Sequence, residues 1–197
     1  MEGGNYIIAD ATALPSSGFK LGSRRGDEAV GFGIARVSAS SRRRLQARLN
    51  FETTSSLSSY AQVTLTNQSV QVWTNSSTDT RALLIPGSSN RIASAWTTTN
   101  LQGSSFTIDL NLAAGHTNQI ALYCVDWLGT GTVLEKIEVF DYGDTSHPLD
   151  TRSFQLPANG VYLAWKLSGH KVIRVTKPDA NSATKAVVSA LFIGAGS

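Results

Sequence analysis

The amino-acid sequence predicts an all-β protein, an antiparallel β-sandwich of the jelly-roll type. Short apolar segments recur about every ten residues, and Gly, Asn, Ser and Thr fill the turns between them, which is typical of sandwiches. Several segments alternate between apolar and polar residues, as half-buried strands do. Convincing helical periodicity is confined to residues 40–50. With 197 residues, of which 41% are hydrophobic, the chain can bury the core of one domain.

The first two predicted strands lie on either side of a basic segment. They are residues 6–15 and 60–66, and they join as strand, turn and strand if residues 17–59 are set aside. Residues 20–59 carry eight basic and three acidic side chains, a net charge of +5, whereas the rest of the chain carries −2. We therefore expect residues 17–59 to be an Arg-rich insertion or long loop within a single domain, 1–197. It is either a solvated loop or an anion-binding patch.

Four strands are predicted in the middle of the chain, at residues 70–73, 81–85, 91–96 and 104–112. The last is the clearest, because its apolar residues, from Phe106 to Leu112, alternate with polar ones and fall on one face. The second ends at the Pro-Gly pair that begins at Pro86, which is a turn signal.

The C-terminal part of the chain gives the strongest prediction of strands. Five follow one another at residues 119–126, 134–141, 150–154, 160–167 and 170–176, and a sixth lies at 186–193. Short strands so closely spaced, with turn residues between them, indicate neighbouring antiparallel strands of a sandwich.

Patterns that would indicate catalysis or metal binding are missing from the sequence. The histidines His116, His147 and His170 have no metal-ligand spacing, and neither a nucleophile elbow nor a phosphate-binding loop occurs. The single cysteine, Cys124, excludes an internal disulfide and is predicted to be a small buried side chain. We therefore expect a protein that is not an enzyme and that has no certain cofactor.

Four aspartates at predicted strand ends leave three interpretations open. They are Asp126, Asp141, Asp144 and Asp150. If they converge on one edge of the sandwich, Asp126 and Asp150 could be the carboxyl pair of a small glycoside hydrolase or lyase. The same oxygen ligands would suit a structural Ca²⁺ ion. In the third interpretation, each carboxylate accepts hydrogen bonds from the amides of its own turn.

Four tryptophans lie in or just after predicted strands. We expect Trp165, in the middle of a strand, to belong to the core. Trp127 opens the loop that follows Asp126, where its ring either packs inward or offers a face to a sugar ring. Trp73 and Trp96 end strands beside loops, where their rings can be exposed.

Segments spread over much of the chain resemble a known family. They are residues 79–83, 90–93, 105–112, 119–127, 138–141, 149–152, 160–165, 168–170, 173–176 and 188–192. They resemble the galactose-binding-like β-jelly-roll modules, similar to carbohydrate-binding modules, of large secreted bacterial proteins. The resemblance covers roughly residues 5–16 and 60–194 and leaves out the insertion. Where the family usually has a charged residue after its Asp-Trp pair, this chain has Leu128.

The resemblance implies a non-catalytic module that binds a polysaccharide or other glycan. It also implies an extracellular, secreted location within a larger protein, with neighbouring domains as partners, although the first residues do not form a signal peptide. A membrane partner is not expected, because there is no apolar run of ~20 residues. Nucleic acid is not expected either, because no aromatic residue lies beside the arginine triplet Arg42 to Arg44.

The candidate ligand contacts are Trp73, Arg81, Trp96, Asp126, Trp127 and Arg152. The indoles would stack on sugar rings, and the charged side chains would hydrogen-bond to hydroxyl groups. No metal ligand is assigned. The alternatives are a structural or adhesion module of a larger extracellular protein without a small ligand, and the small hydrolase or lyase mentioned above.

Overall fold

The computed structural model describes residues 33–36, 61–84, 90–113, 115 and 117–194. Within these ranges the chain forms strands and turns and no helix, and therefore no helix that could cross a membrane. The strands are β1 (Gly33–Arg36), β2 (Ala61–Thr66), β3 (Ser69–Ser77), β4 (Leu83–Leu84), β5 (Arg91–Thr97), β6 (Ser105–Leu112), β7 (Asn118–Cys124), β8 (Leu134–Asp141), β9 (Asp150–Gln155), β10 (Val161–Leu167), β11 (His170–Thr176), β12 (Val187–Val188) and β13 (Ala190–Gly194).

The described strands form three sheets. A five-stranded sheet has the order β2-β6-β11-β8-β9, and every neighbouring pair in it is antiparallel. A second sheet has the order β1-β13-β7-β10, in which only β1 and β13 run parallel. A third has the order β12-β5-β3, with β4 also paired to β5. Only Ser189 separates β12 from β13, so these two consecutive strands belong to two different sheets.

One hydrophobic core joins the three sheets. It contains Ile108 and Ile137 from the five-stranded sheet, Leu122 and Leu191 from the second and Trp96 from the third. Side chains from facing sheets that share one core define a β-sandwich. The expected all-β, antiparallel β-sandwich is confirmed.

The central strand β7 is buried on both faces, unlike most strands of a sandwich. Ile120 and Leu122 point into the main core, whereas Ala121 and Tyr123 belong to a second apolar cluster on the other face of the sheet. That cluster also contains Leu83, Val125, Ala164, Ala190 and Phe192. A strand with apolar cover on both faces appears in the sequence as a continuous apolar run, as residues 120–125 do.

Most strand predictions agree with the structure, with differences at the edges. The predicted strand 70–73 extends to Ser77. Of the predicted strand 81–85, Arg81 lies in a turn, Leu83–Leu84 form β4, and residue 85 lies outside the described residues. The predicted strand 186–193 is divided at Ser189. Of the proposed insertion 17–59, only β1 is described, and it pairs with the last strand. The predicted strand 6–15 and helical segment 40–50 lie outside the described residues.

Candidate functional site

A cleft of about 190 Å³ opens at the end of the sandwich at which β7 ends and β8 begins. Its base is apolar and consists of Val125, Val133, Leu156 and Val187. Trp73 and Trp127 form its aromatic wall. Its polar lining consists of Gln71, Thr97, Asp126, Thr130, Thr132, Thr184 and Lys185. An apolar base with a few polar groups around it is the usual composition of a ligand site.

The two tryptophans of the cleft lie against each other. Their ring centroids are 6.5 Å apart and their planes differ by 32°. Both side chains are half-buried, and Trp73 also packs against the main core. A sugar ring held between two parallel indoles would need roughly 3.5–4.0 Å of clearance on each side. The spacing is therefore too small for a sugar ring between them, so a ligand would have to contact the outer surface of the pair.

Arg81 fixes the position of Trp127. Its guanidinium carbon lies 4.7 Å from the centre of the Trp127 ring, a cation–π contact. Its Nε and Nη2 both donate to the Asp79 carboxylate, at 3.0 and 2.8 Å, and its Nη1 donates to the Ala158 carbonyl at 2.9 Å. The hydrogen bonds from Arg81 lower the pKa of Asp79, which keeps this pair ionised. Arg81 is thus occupied by the protein and supports the indole from one face.

The backbone of Arg81 is held by the second apolar cluster. The Tyr123 hydroxyl donates to the Arg81 carbonyl at 3.0 Å. Tyr123 stacks on Tyr162 with ring centroids 4.6 Å apart. Burial raises the pKa of Tyr123, so its hydroxyl keeps the proton that it donates. The position of Arg81, and with it the support of Trp127, therefore depends on the packing of Tyr123 in the second apolar cluster.

Asp126 organises the loop that carries Trp127. Its Oδ1 accepts from the Gly129 amide at 3.1 Å, and its Oδ2 accepts from the Gly131 amide at 2.8 Å and the Thr130 hydroxyl at 3.0 Å. Both glycines have positive φ angles, 66° and 64°, which only glycine adopts readily. Each carboxylate oxygen therefore already has a partner within the loop, as expected for an aspartate that binds its own turn.

We expect Asp126→Ala to lower the free energy of unfolding by about 1–2 kcal/mol, because the charged acceptor of three hydrogen bonds is lost. The loop would also lose its fixed shape, so any ligand of the cleft should bind more weakly. Urea unfolding measures the first effect. Asp126→Asn is the matched control, because it keeps one carbonyl acceptor and should lose less. Equal stability of the alanine variant and the parent would contradict this role.

Three of the six candidate contacts, Arg81, Trp96 and Arg152, do not line the cleft, and Arg81 acts there only through its contact with Trp127. The side chain of Trp96 is 0% exposed, because β5 lies between β3 and β12 and turns this ring into the core. The expectation that Trp96 contacts a ligand is therefore wrong. Arg152 lies over the Trp165 ring at 4.6 Å and donates to Asp150 at 2.8 Å and to the Ala164 carbonyl at 3.2 Å. It links the edge strands β9 and β10 and does not line the cleft.

The four candidate aspartates do not converge. Asp126 binds its own loop, Asp141 pairs with Lys171 at 2.7 Å, Asp144 with His147 at 3.0 Å, and Asp150 accepts from the Trp165 indole at 2.6 Å. Within the described ranges, no three His, Cys, Asp or Glu side chains come together in a way that could hold a metal ion. The cleft contains Asp126 but not Asp150, so the pair proposed for hydrolysis does not share it.

Several polar residues of the cleft were not predicted. Thr130 and Thr132 stand in the glycine-containing loop after Trp127, which could have suggested them. Nothing in the sequence pointed to Thr97 and Lys185. Thr97 ends a strand and Lys185 lies in a loop far along the chain, and the two come together only in the folded structure. The Thr97 hydroxyl is buried without a hydrogen-bond partner, and in the described part of the chain Lys185 forms no ion pair.

No protein-family model and no curated protein sequence matches the chain. Among solved structures it is similar to a family 35 carbohydrate-binding module in complex with a disaccharide containing glucuronic acid, at 13% identity and a TM-score of 0.42, over 69% of this chain and 90% of that one. The likeness is one of fold. A family 61 module in complex with β-1,4-galactotriose has 13% identity and a TM-score of 0.39, over 73% and 92%. A family 35 module from Clostridium thermocellum has 15% identity and a TM-score of 0.36, over 66% and 88%.

Proposed function

We propose that this domain is a non-catalytic binding module that holds a polysaccharide in the cleft of Trp73 and Trp127. The observation that carries the proposal is the pair of half-exposed indoles in contact with each other above an apolar base. Sugar rings have one or two faces made of C–H groups, and such faces pack on aromatic rings as other apolar groups do.

The polar rim of the cleft suits the hydroxyl groups of a sugar. Thr130, Thr132, Thr184 and Gln71 offer hydroxyl and amide groups that both donate and accept hydrogen bonds. A sugar hydroxyl also does both, so uncharged rim groups can satisfy it without the cost of burying a charge. The buried Thr97 hydroxyl adds a group at depth that a ligand could reach.

The closeness of the two indoles supports binding of a chain rather than of a chain end. Because no ring fits between them, a ligand has to lie across their common surface. Such a surface can contact consecutive units of a polymer and leaves both ends of the bound segment free.

The chemistry of Asp126 supports binding rather than hydrolysis. Glycoside hydrolysis by the usual route requires two carboxyl groups on either side of the scissile bond. Asp126 is the only carboxylate among the cleft residues that the structure describes, and both its oxygens already accept hydrogen bonds. We also place the module outside the cell as part of a larger secreted protein, which its low content of charged residues, 16%, supports.

Affinity gel electrophoresis with immobilised polysaccharides tests the proposal. The gels contain β-1,4-galactan, mixed-linkage β-glucan or glucuronoxylan, so that neutral and acidic glycans are both represented. At least one should retard the parent protein, and Trp127→Ala should weaken that retardation about tenfold, which corresponds to about 1.4 kcal/mol. Leu101→Ala, a matched truncation of an exposed apolar side chain outside the cleft, should change nothing.

Two outcomes would overturn the proposal. One is that no glycan retards the parent protein, which would favour a structural module that only spaces its neighbours. The other is retardation that Trp127→Ala leaves unchanged although the variant unfolds at the same temperature as the parent.

A further inference from the structure

An exposed aromatic residue lies at the other end of the sandwich. Tyr142 follows the last residue of β8, whereas the cleft lies beside the first. Since β8 has eight residues, ~25 Å separate the two ends. The side chain of Tyr142 is 60% exposed, and no other Phe, Trp or Tyr in the described part of the chain is exposed to a comparable extent.

Contacts from three strands hold the Tyr142 ring in place. The ring stacks on His170 with centroids 3.7 Å apart and planes within 7°. The Tyr142 amide donates to the His170 carbonyl at 3.1 Å, which fixes the backbone as well. His170 is itself held by Asp109, whose Oδ1 lies 2.7 Å from Nε2. These contacts connect β6, β11 and the end of β8. They restrict the rotamers of the Tyr142 side chain although it is exposed.

The outer side of this ring is open to a ligand. Because His170 covers one face, the exposed area of Tyr142 belongs to the other face and the ring edge. The next residue, Gly143, has a φ of 88°, and even a Cβ added there would have no atom within 4 Å. The turn is therefore open to solvent at Gly143, next to the exposed ring.

The polar groups beside Tyr142 form two pairs, each of which contains an aspartate. The Asp141 carboxylate is 56% exposed, and its Oδ1 accepts from Lys171 at 2.7 Å. Its second oxygen remains available to hydroxyl groups. Asp109 and His170 form the other pair. A rigid aromatic face next to an exposed acceptor matches an uncharged ring that has an apolar face and hydroxyl groups on its edge. The carboxylates of Asp109, Asp141 and Asp144 near this face disfavour an anionic sugar.

We propose that Tyr142, positioned by His170 and assisted by Asp141, is a second sugar-binding site for a neutral pyranose unit of a polysaccharide. It shares its ligand class with the proposed function but none of its residues with the cleft. Two sites at opposite ends cannot bind adjacent units of one short oligosaccharide. The module is therefore bivalent and can connect two polysaccharide chains, which raises its apparent affinity for a polymer above that of either site.

Titration of ¹⁵N-labelled protein with neutral oligosaccharides tests this site. The probes are galactotetraose, cellotetraose and xylotetraose, each raised to millimolar concentration. The amide signals of Tyr142 and His170 should shift with one probe along a saturation curve independent of the Trp127 indole signal. Tyr142→Ala should weaken binding at this end at least tenfold and leave the Trp127 titration unchanged. Leu149→Ala, which truncates an exposed side chain in the same turn region, is the control.

His170→Ala separates positioning from contact. Because Tyr142 remains, weak binding should persist at this end, with an affinity between those of the parent and Tyr142→Ala. A solution of a polymer of the responding sugar should become turbid when the parent protein is added, because a bivalent module connects polymer chains. Tyr142→Ala and Trp127→Ala should cause no turbidity. If the Trp127 indole responds and Tyr142 does not, the second site is refuted while the proposed function stands. If neither responds to any of these neutral probes, the second site is refuted, and the gel experiment with neutral and acidic polysaccharides decides the proposed function.

Discussion

Replacement of Glu135 by glutamine is expected to raise the free energy of unfolding at pH 7 by about 2–4 kcal/mol, an unusual outcome for a change in the core. The reason is the position of this carboxyl group. Glu135 is 0% exposed, and burial raises its pKa to about 8. The Val187 amide and the Cys124 thiol lie beside it and act to lower its pKa, but burial outweighs them and neither completes a hydrogen bond of normal geometry to its oxygens.

The pH dependence follows from the two pKa values. Below pH 4.5, the ordinary value, the carboxyl is protonated in both the folded and the unfolded chain and costs nothing. Between about pH 4.5 and 8 the unfolded chain releases the proton and the folded chain keeps it, so stability falls by about 1.4 kcal/mol per pH unit. Above pH 8 the loss is complete. Glutamine has a similar shape and does not ionise, so this fall should disappear.

Urea unfolding at pH values from 5 to 8.5 measures the effect. Glu138→Gln is the matched control on the same strand. Burial raises the pKa of Glu138, but its hydrogen bonds with Arg174 and Lys136 outweigh burial and lower it overall. This control should therefore lose stability near pH 7 where Glu135→Gln gains it. Parallel stability curves for the parent and Glu135→Gln would refute the expectation.

Gly160→Ala should destabilise the protein by about 2–4 kcal/mol, through backbone strain and overpacking together. Gly160 has a φ of 80°, in the left-handed region that alanine avoids. A Cβ at this position would overlap the Tyr123 ring, with the hydroxyl oxygen 2.6 Å away. Tyr123 cannot move aside easily, because it stacks on Tyr162 and donates to the Arg81 carbonyl.

The same change should reach the cleft. If Tyr123 is displaced, the Arg81 carbonyl loses its donor, and the guanidinium over Trp127 loses its fixed position. We therefore expect Gly160→Ala to weaken glycan retardation as well as stability. Gly103→Ala is the control, because Gly103 has a similar φ of 75° but a Cβ there would meet nothing within 4 Å. Similar losses in urea unfolding for the two variants would show that the contact with Tyr123 is unimportant.

Local patterns in the sequence predicted the strands well, because a strand's own alternation reports which face it buries. The strand from Phe106 to Leu112 is an example. The run 120–125 does not alternate and was visible instead as a continuous apolar segment, because both of its faces are buried. Which strands become neighbours depends on contacts between distant segments. Trp96 ends a strand beside a loop in the sequence, yet it is buried because β12, about ninety residues later, covers β5.

The candidate site was predicted in part for the same reason. Trp127 and Asp126 are adjacent in sequence, so their shared loop was visible. Trp73 meets Trp127 only because the end of β3 and the loop after β7 come together in the fold. Arg81 was expected to contact ligand, but its turn with Asp79 directs it to the indole. The charge and type of a residue do not distinguish an arginine that contacts a ligand from one that holds a neighbouring side chain in place.

The burial of β7 on both faces has a consequence for local opening of the domain. Amide hydrogens exchange with solvent when the structure around them opens, and centrally packed strands generally open only with global unfolding. The amides from Ile120 to Cys124 should therefore exchange at the slowest rates in the molecule. Asp126 and Trp127 come two and three residues after the end of this strand, so the loop that carries Trp127 is attached to the part of the fold that opens last.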